Sequence, residues 1–199
     1  MSQATTLSSE DVGSTAQRER RRRILDATIA LASTGGFDAV QMRTVAEDAD
    51  VALGTLYRYF PSKIHLLVSA LGREFERADS NLHARVVKGD TPADRVIDVL
   101  KRTSRGLQGD QHITEALTRA FMFADASVAG EISVVGQRLT NMLTYAMRPD
   151  DTATSEEDEQ IARVIGDVWL STLVAWVTGR TTAEETAAHM ERAVRLLLR

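Results

Sequence analysis

Apolar residues recur at intervals of three and four along most of the chain, and the strict alternation that marks half-buried strands is scarce. Prolines stand only at positions 61, 92 and 149, so long stretches run without a helix breaker. The pattern predicts an all-α protein of about nine helices. Residues 1–16, rich in Ser, Thr and Gln, have little to bury and read as a disordered tail. A first helix is expected over residues 18–34, where Ile24, Ala27, Thr28 and Leu31 share a face and Gly35-Gly36 supplies a left-handed stop. Two short helices follow, over residues 42–49 and 53–60, joined by Asp50-Val51 and ended by Pro61. Ser62 is placed to cap a long helix from Lys63 to about residue 87, closed by Gly89.

Helix starts in the second half are written in side chains. Thr91-Pro92-Ala93-Asp94 combines a cap, a proline in the first turn and an early acid, which predicts a helix over residues 92–107, ended by Gly106 and Gly109. Further helices are expected over residues 111–124 and 127–147, the latter stopped by Pro149 and blurred at its start by Gly130 and Gly136. Residues 150–158 read as an acidic loop that runs into the cap Ser155-Glu156-Glu157-Asp158, without the spacing of a calcium site. Two helices close the chain, over residues 156–178 and 183–198, the second capped by Thr182 with Glu185 three positions on. The first of these is apolar on more than one face, through Ile161, Val164, Ile165, Val168, Trp169, Leu173, Val174, Trp176 and Val177. Such a helix requires neighbours on several sides, and a second copy of the chain can supply one.

Composition sharpens the picture. With 199 residues, 43% of them hydrophobic, the chain can bury a sizeable core as one domain or two small ones. The formal charge of -4 argues against a uniform basic coat. Residues 17–65 nevertheless carry eight basic against six acidic side chains, so the positive charge sits at one end. The absence of cysteine excludes a disulfide framework, a thiolate metal site and a Cys nucleophile, and fits a reducing compartment. Neither a signal-like apolar opening nor an unbroken apolar run of about 18 residues occurs, which points to the cytoplasm and away from the membrane.

Two short helices joined by a few residues inside a basic region form the layout of a helix-turn-helix, whose second helix enters the major groove of DNA. The stretch Val51-Ala52-Leu53-Gly54-Thr55-Leu56-Tyr57-Arg58-Tyr59-Phe60-Pro61-Ser62-Lys63 resembles the signature of the TetR family of bacterial repressors. Arg23-Ile24-Leu25-Asp26-Ala27-Thr28, Gly36-Phe37 and Val45-Ala46 stand at the family's intervals, so the motif spans residues 23–67, and the helix count agrees with the family thereafter. The resemblance implies a DNA-binding domain over residues 17–65 and a ligand-binding and dimerisation domain over residues 66–199.

Within the motif, Leu53, Gly54 and Thr55 open the recognition helix, where the bare Gly54 backbone can approach DNA and the Thr55 hydroxyl can meet a phosphate or base edge. Tyr57 and Tyr59 carry hydroxyls for phosphates and rings for thymine methyls, with Tyr57 partly core, and Arg58 can fork onto guanine. Lys63 begins the next helix near a phosphate, while Gln41 and Arg43 open the supporting helix. Leu56 and Phe60 face inward. Arg20 to Arg23, Arg20 and Arg22 foremost, read as an arm along phosphates or in the minor groove. The chain departs from the family at Asp50, where Gly is usual, at Ala52, where Ser often caps, and at Gln41, where Thr is usual; Asp tolerates a left-handed backbone, and the lost cap costs about 1 kcal/mol.

The resemblance further implies a homodimer on an inverted-repeat double-stranded DNA operator, built by the last two helices through Ile161, Ile165, Trp169, Thr172, Leu173, Met190, Val194 and Leu197, some of which must instead be intramolecular core. It implies a small apolar effector, with Phe121, Met122, Phe123, Leu139, Met142, Leu143, Tyr145 and Trp176 as candidate lining, although such a stripe is more often plain core. More narrowly, the whole chain resembles the branch of the family that represses sterol and lipid catabolism genes in mycobacteria. That implies a sterol-derived CoA thioester, its phosphates near basic side chains among which Arg102, Arg105, Arg119 and Arg138 stay open, although each such arginine is more often a surface ion pair.

Two rival readings stand beside this one. An all-α enzyme with an apolar substrate finds little support, because His65, His83, His112 and His189 are scattered and no zinc, phosphate-loop or nucleophile-elbow motif occurs; no metal or cofactor is expected. An architectural DNA binder without ligand control is separated by the chamber, since side chains filling it would favour that reading.

Overall fold

The computed structural model describes residues 9–149 and 154–199, and these form nine α-helices and one short 3-10 turn, with no strand among them. The first helix, α1 (Ser9–Ala39), buries Ile24, Leu25, Thr28 and Ala32. It starts well before residue 18. Residues 9–16, expected in a tail, are therefore helical, while the rest of that expectation lies outside the described residues. No proline interrupts the segment, and a helix already nucleated by its packed turns adds one hydrogen bond for each residue it extends over. Helical geometry breaks where the two glycines stand, with Gly36 at φ +66°. A Cβ on Gly36 would also collide with the Glu115 carboxylate, so the stop and the docking of the next domain both demand glycine.

α2 (Met42–Asp48) and α3 (Leu53–Tyr59) follow, and Asp50 makes the turn between them at φ +52°, the conformation expected of it. Ala52 precedes α3 without a side-chain cap, as its identity dictates. The Ser62 hydroxyl accepts from the His65 amide and opens α4 (Lys63–His83). That helix ends four residues short of the expected position. Gly89, at φ +141° with Asp94 and Arg95 where a Cβ would stand, serves the turn into the next helix instead.

Capping boxes appear at all three predicted places. Thr91 with Asp94 opens α5 (Pro92–Gln108), Ser155 with Asp158 opens α8 (Glu156–Val177), and Thr182 with Glu185 opens α9 (Ala183–Leu197). Asp110 caps α6 (Gln111–Met122), which ends two residues early. A 3-10 turn over Ala126–Val128, held by Asp125, leads into α7 (Ala129–Met147), and neither Gly130 nor Gly136 interrupts it.

Leu56 and Phe60 of α3 are buried with Ile24, Val45 and Ala49, and the same cluster of buried side chains continues through Leu66 and Leu67 into the rest of the molecule. α4 links the two halves, packing on α1 near its start and on α6 and α7 beyond. Arg73, largely buried, fastens α4 to α1 by donating to Asp26 at 2.6 Å and to the Leu25 carbonyl at 3.1 Å. α7 lies against α4, α5 and α8, and α9 closes over α8 and α5.

Candidate DNA-binding surface and effector cavity

The face of α3 turned away from the core is open. Leu53 is 39% exposed and Tyr57 45%, with Gly54 and Arg58 exposed beside them and Thr55 half-buried. A Cβ on Gly54 would meet nothing within 4 Å among the described residues, so their packing does not require glycine there. Arg58 leans back to donate to the Thr55 hydroxyl at 3.2 Å, and Arg43 pairs with Glu47 at 3.3 Å beside the exposed Gln41. These side chains share one surface.

Two expectations about this surface change. Tyr59 is the half-buried tyrosine, packed on the core with its ring 6.2 Å from that of Phe60, whereas Tyr57, expected to be partly core, is 45% exposed. Arg20 to Arg23 form no arm, because they lie within α1. Arg22 pairs with Glu19 at 2.8 Å, Arg21 sits over the Phe60 ring, Arg23 faces Asp50 at 3.7 Å and Arg20 is half-buried. Lys63 stands over the Phe37 ring, its Nζ 3.9 Å from the centroid, and burial lowers its pKa from the ordinary lysine value while Asp38 pulls the other way.

Behind this surface, α4, α6, α7 and α8 enclose a cavity of about 500 Å³. Leu71, Phe75, Leu117, Phe121, Ile132, Val135, Leu139, Trp169 and Leu173 give it an apolar wall, and Gln137, Arg163 and Asp167 also line it. Trp169 stands edge-on to Phe75, with ring centroids 5.9 Å apart, and donates its indole N–H to the Ser104 hydroxyl at 3.0 Å. Thr114 spends its hydroxyl on the Leu107 carbonyl. Thr118 and Thr140 line the cavity with hydroxyls that have no hydrogen-bond partner among the described residues.

Of the lining expected from sequence, this cavity takes Phe121 and Leu139. Met122 and Phe123 lie on the surface, 51% and 63% exposed, because α6 ends at Met122 and its last turn rolls them outward. Leu143 is plain core, Met142 faces a second cavity, and Tyr145 stacks on His83 with centroids 4.3 Å apart. Trp176 is half-buried outside the wall. The missed walls come from α4 and α6, where Leu71 and Phe75, then Thr114, Leu117 and Thr118 beside the expected Phe121, fall at helical spacing. Small hydroxyls set among apolar neighbours were the available signal.

α6 touches both regions. One face lines the cavity; the other holds the end of α1, through His112 against the Ser33 carbonyl at 3.1 Å and Glu115 accepting the Phe37 amide at 2.7 Å. Arg119 lies over the Phe37 ring at 4.6 Å and pairs with Asp38 and Glu115. Phe37 thus carries a cation from each half of the molecule, Lys63 from α4 and Arg119 from α6.

The outer side of α8, through Val164, Asp167 and Ser171, is exposed among the described residues. This helix is apolar and long enough by composition to cross a membrane, yet only 28% of its most apolar window is buried. Ile165, Trp169, Thr172 and Leu173 of α8, with Met190 and Val194 of α9, are buried in the protomer's own core and are not available to a partner. Ile161 is half-buried and Leu197 is 37% exposed. Val164, 46% exposed, and Ser171 are the open positions beside them, with Val168 and Ala175 half-buried on the same side and Val168 packed on the core.

Comparison with known proteins agrees with this layout. Residues 24–70 match the bacterial regulatory proteins of the tetR family, and residues 89–197 match a tetracyclin repressor-like C-terminal domain. The HTH-type transcriptional repressor KstR of Mycolicibacterium smegmatis is 54% identical over 198 residues, covering 100% of this chain and 96% of that protein. A TetR transcriptional regulator from Rhodococcus sp. RHA1 superposes with a TM-score of 0.84 at 31% identity, over 92% of this chain and 97% of that one. The FadR repressor of Thermus thermophilus, solved in complex with lauroyl-CoA, shares the fold with a TM-score of 0.71 at 18% identity, over 89% of this chain and 93% of its own.

Proposed function

The chain belongs to the TetR family of bacterial regulatory proteins, and from that premise we propose that it is a dimeric repressor released from its operator by a bulky apolar effector. The observation that carries the reading is α6, which lines the cavity with one face and grips the end of α1 with the other. Leu53, Gly54, Thr55, Tyr57 and Arg58 meet the major groove, with Gln41, Arg43 and Lys63 on the flanking phosphates. Two copies joined along the open stripe of α8 and the outer face of α9 present two such helices to an inverted repeat, about 34 Å apart.

An effector in the cavity presses on Leu71 and Phe75 of α4 and on Leu117 and Phe121 of α6. Arg73 passes a shift of α4 to α1, and Glu115 passes a shift of α6 to the same helix, so the recognition helices lose the spacing the operator needs. Linkage then requires operator DNA to weaken effector binding by the same factor. The cavity size suits a small-molecule ligand, and its apolar wall with two unengaged hydroxyls suits a rigid apolar body bearing an oxygen function. The whole-chain likeness to KstR and the lauroyl-CoA held by a protein of the same fold favour a sterol-derived CoA thioester. An open chamber speaks against a purely architectural DNA binder.

The test is fluorescence anisotropy with an operator fragment, titrated with lithocholoyl-CoA. Release that saturates with thioester supports the reading. Thioester that binds the protein but leaves the DNA in place overturns it.

A further inference from the structure

A second cavity of about 530 Å³ lies between α4 and α5, on the other side of Phe75 and Leu107, which line both cavities. It is the more polar of the two. Arg77, Arg85, Arg102 and Arg105 line it against one carboxylate, Glu74, in a chain whose net charge is -4. Arg77 is engaged by Glu74 at 2.8 Å and Arg102 by Asp98. Arg85 and Arg105 have no carboxylate partner among the described residues, although carboxylates outnumber cations in the chain; Arg105 donates only to the Lys101 carbonyl. Of the four arginines that sequence reasoning could not choose between, Arg119 and Arg138 are paired with Asp38 and Glu76 elsewhere. Gly106 lies in the wall directly after Arg105 and one turn beyond Arg102, and a Cβ there would meet nothing within 4 Å among the described residues. A helical glycine with no packing reason costs about 1 kcal/mol relative to alanine, and what it leaves is room.

We propose that this second cavity holds the phosphates of the effector, with Arg85 and Arg105 as their guanidinium donors, while the apolar body occupies the first cavity across Phe75 and Leu107. This rests on the reading of the first cavity as the effector chamber. Guanidinium groups fork onto phosphate oxygens with charge-assisted hydrogen bonds, and unpaired ones in a concave site meet the anion without first breaking an ion pair. A molecule spanning both cavities ties the end of α4 to α5, so its anionic part acts on the helix that reaches the DNA-binding half.

The experiment compares lithocholoyl-CoA and lauroyl-CoA with the N-acetylcysteamine thioesters of the same acids, which keep the apolar body and lack phosphates. Binding is followed by the fluorescence of the protein's tryptophans. The wild type is expected to bind each CoA ester about tenfold or more tightly than its neutral counterpart, as one or two hydrogen bonds to charged groups supply. The Arg85→Gln/Arg105→Gln double variant is expected to lose that preference while binding the neutral thioesters as the wild type does, which also shows that its first cavity is intact. Equal binding of charged and neutral thioesters by the wild type overturns the phosphate site and leaves the apolar chamber standing. Retention of the preference in the double variant, or its loss in Arg163→Gln at the first cavity, moves the phosphates elsewhere and overturns the assignment. Binding of neither class overturns the chamber itself.

Discussion

Residues on the open face of α3 differ from their neighbours in what they owe to the fold. Gly54 owes it nothing: alanine fits without a contact, and should stabilise the helix by about 0.5–1 kcal/mol while weakening operator binding, because the backbone can no longer come close. Chemical denaturation beside anisotropy checks both signs, and an unchanged operator affinity removes Gly54 from the interface. The two tyrosines separate in the same way. Tyr57→Ala should lower DNA affinity with little change in stability, whereas Tyr59→Ala should destabilise the domain, since its ring packs beside Phe60. In the chamber, Thr118→Val and Thr140→Val remove hydroxyls without shrinking the cavity; each should leave the protein as stable and cost about five- to tenfold in affinity for an effector with a matching oxygen. Much of the DNA surface was legible in the sequence, because the motif spaces its residues rigidly along short helices. The exchange of Tyr57 and Tyr59 was not, because neighbours two apart on a helix differ in burial only once the packing partner is known.

At the scale of elements, helix starts were readable wherever a hydroxyl residue precedes an acid by three positions, and Thr91, Ser155 and Thr182 all form the capping boxes they spell. Helix ends were less so, since α4 stops at His83 without a glycine to mark it, and Gly89 falls in the turn beyond. Chamber walls escaped for a different reason. A cavity is what several helices fail to fill together, and no single helix's pattern records it.

The acids that anchor α9 make stability depend on pH. Hydrogen bonding from the Thr91 hydroxyl and then Arg195 holds Asp94 below its ordinary pKa of 3.8. Lys101 and then Arg195 do the same for Glu191, and the Thr182 amide and hydroxyl for Glu185, against an ordinary 4.5. Carboxyls depressed in the folded state stabilise it above the ordinary carboxylate range and lose that contribution as the pH falls through their folded values. The melting temperature should drop below about pH 4, and Asp94→Asn/Glu191→Gln should lower it at neutral pH while flattening the acid limb. An acid limb as steep as the wild type's contradicts the α5–α9 anchor. Glu115→Ala tests the other junction. Leaving the Phe37 amide without its acceptor should cost about 1–3 kcal/mol, and the effector should still bind while weakening DNA binding by a smaller factor than in the wild type. A full factor in the variant removes Glu115 from the coupling.

The whole molecule combines a DNA-reading face, a chamber and an apolar helix side that one protomer leaves uncovered. Val164 and Ser171 are exposed on that side, so Val164→Glu/Ser171→Glu should yield folded monomers by sedimentation and lose tight operator binding, because one recognition helix reads only half a site. A dimer that survives both charges places the interface elsewhere. The central claim is that chamber and operator compete through the protein, and linkage gives it a direct measurement: the affinity of the effector for the free dimer and for the dimer saturated with operator, set against the affinity of operator with and without effector. The account predicts that the two ratios are equal and clearly above one. Equal effector affinity with and without DNA would contradict it.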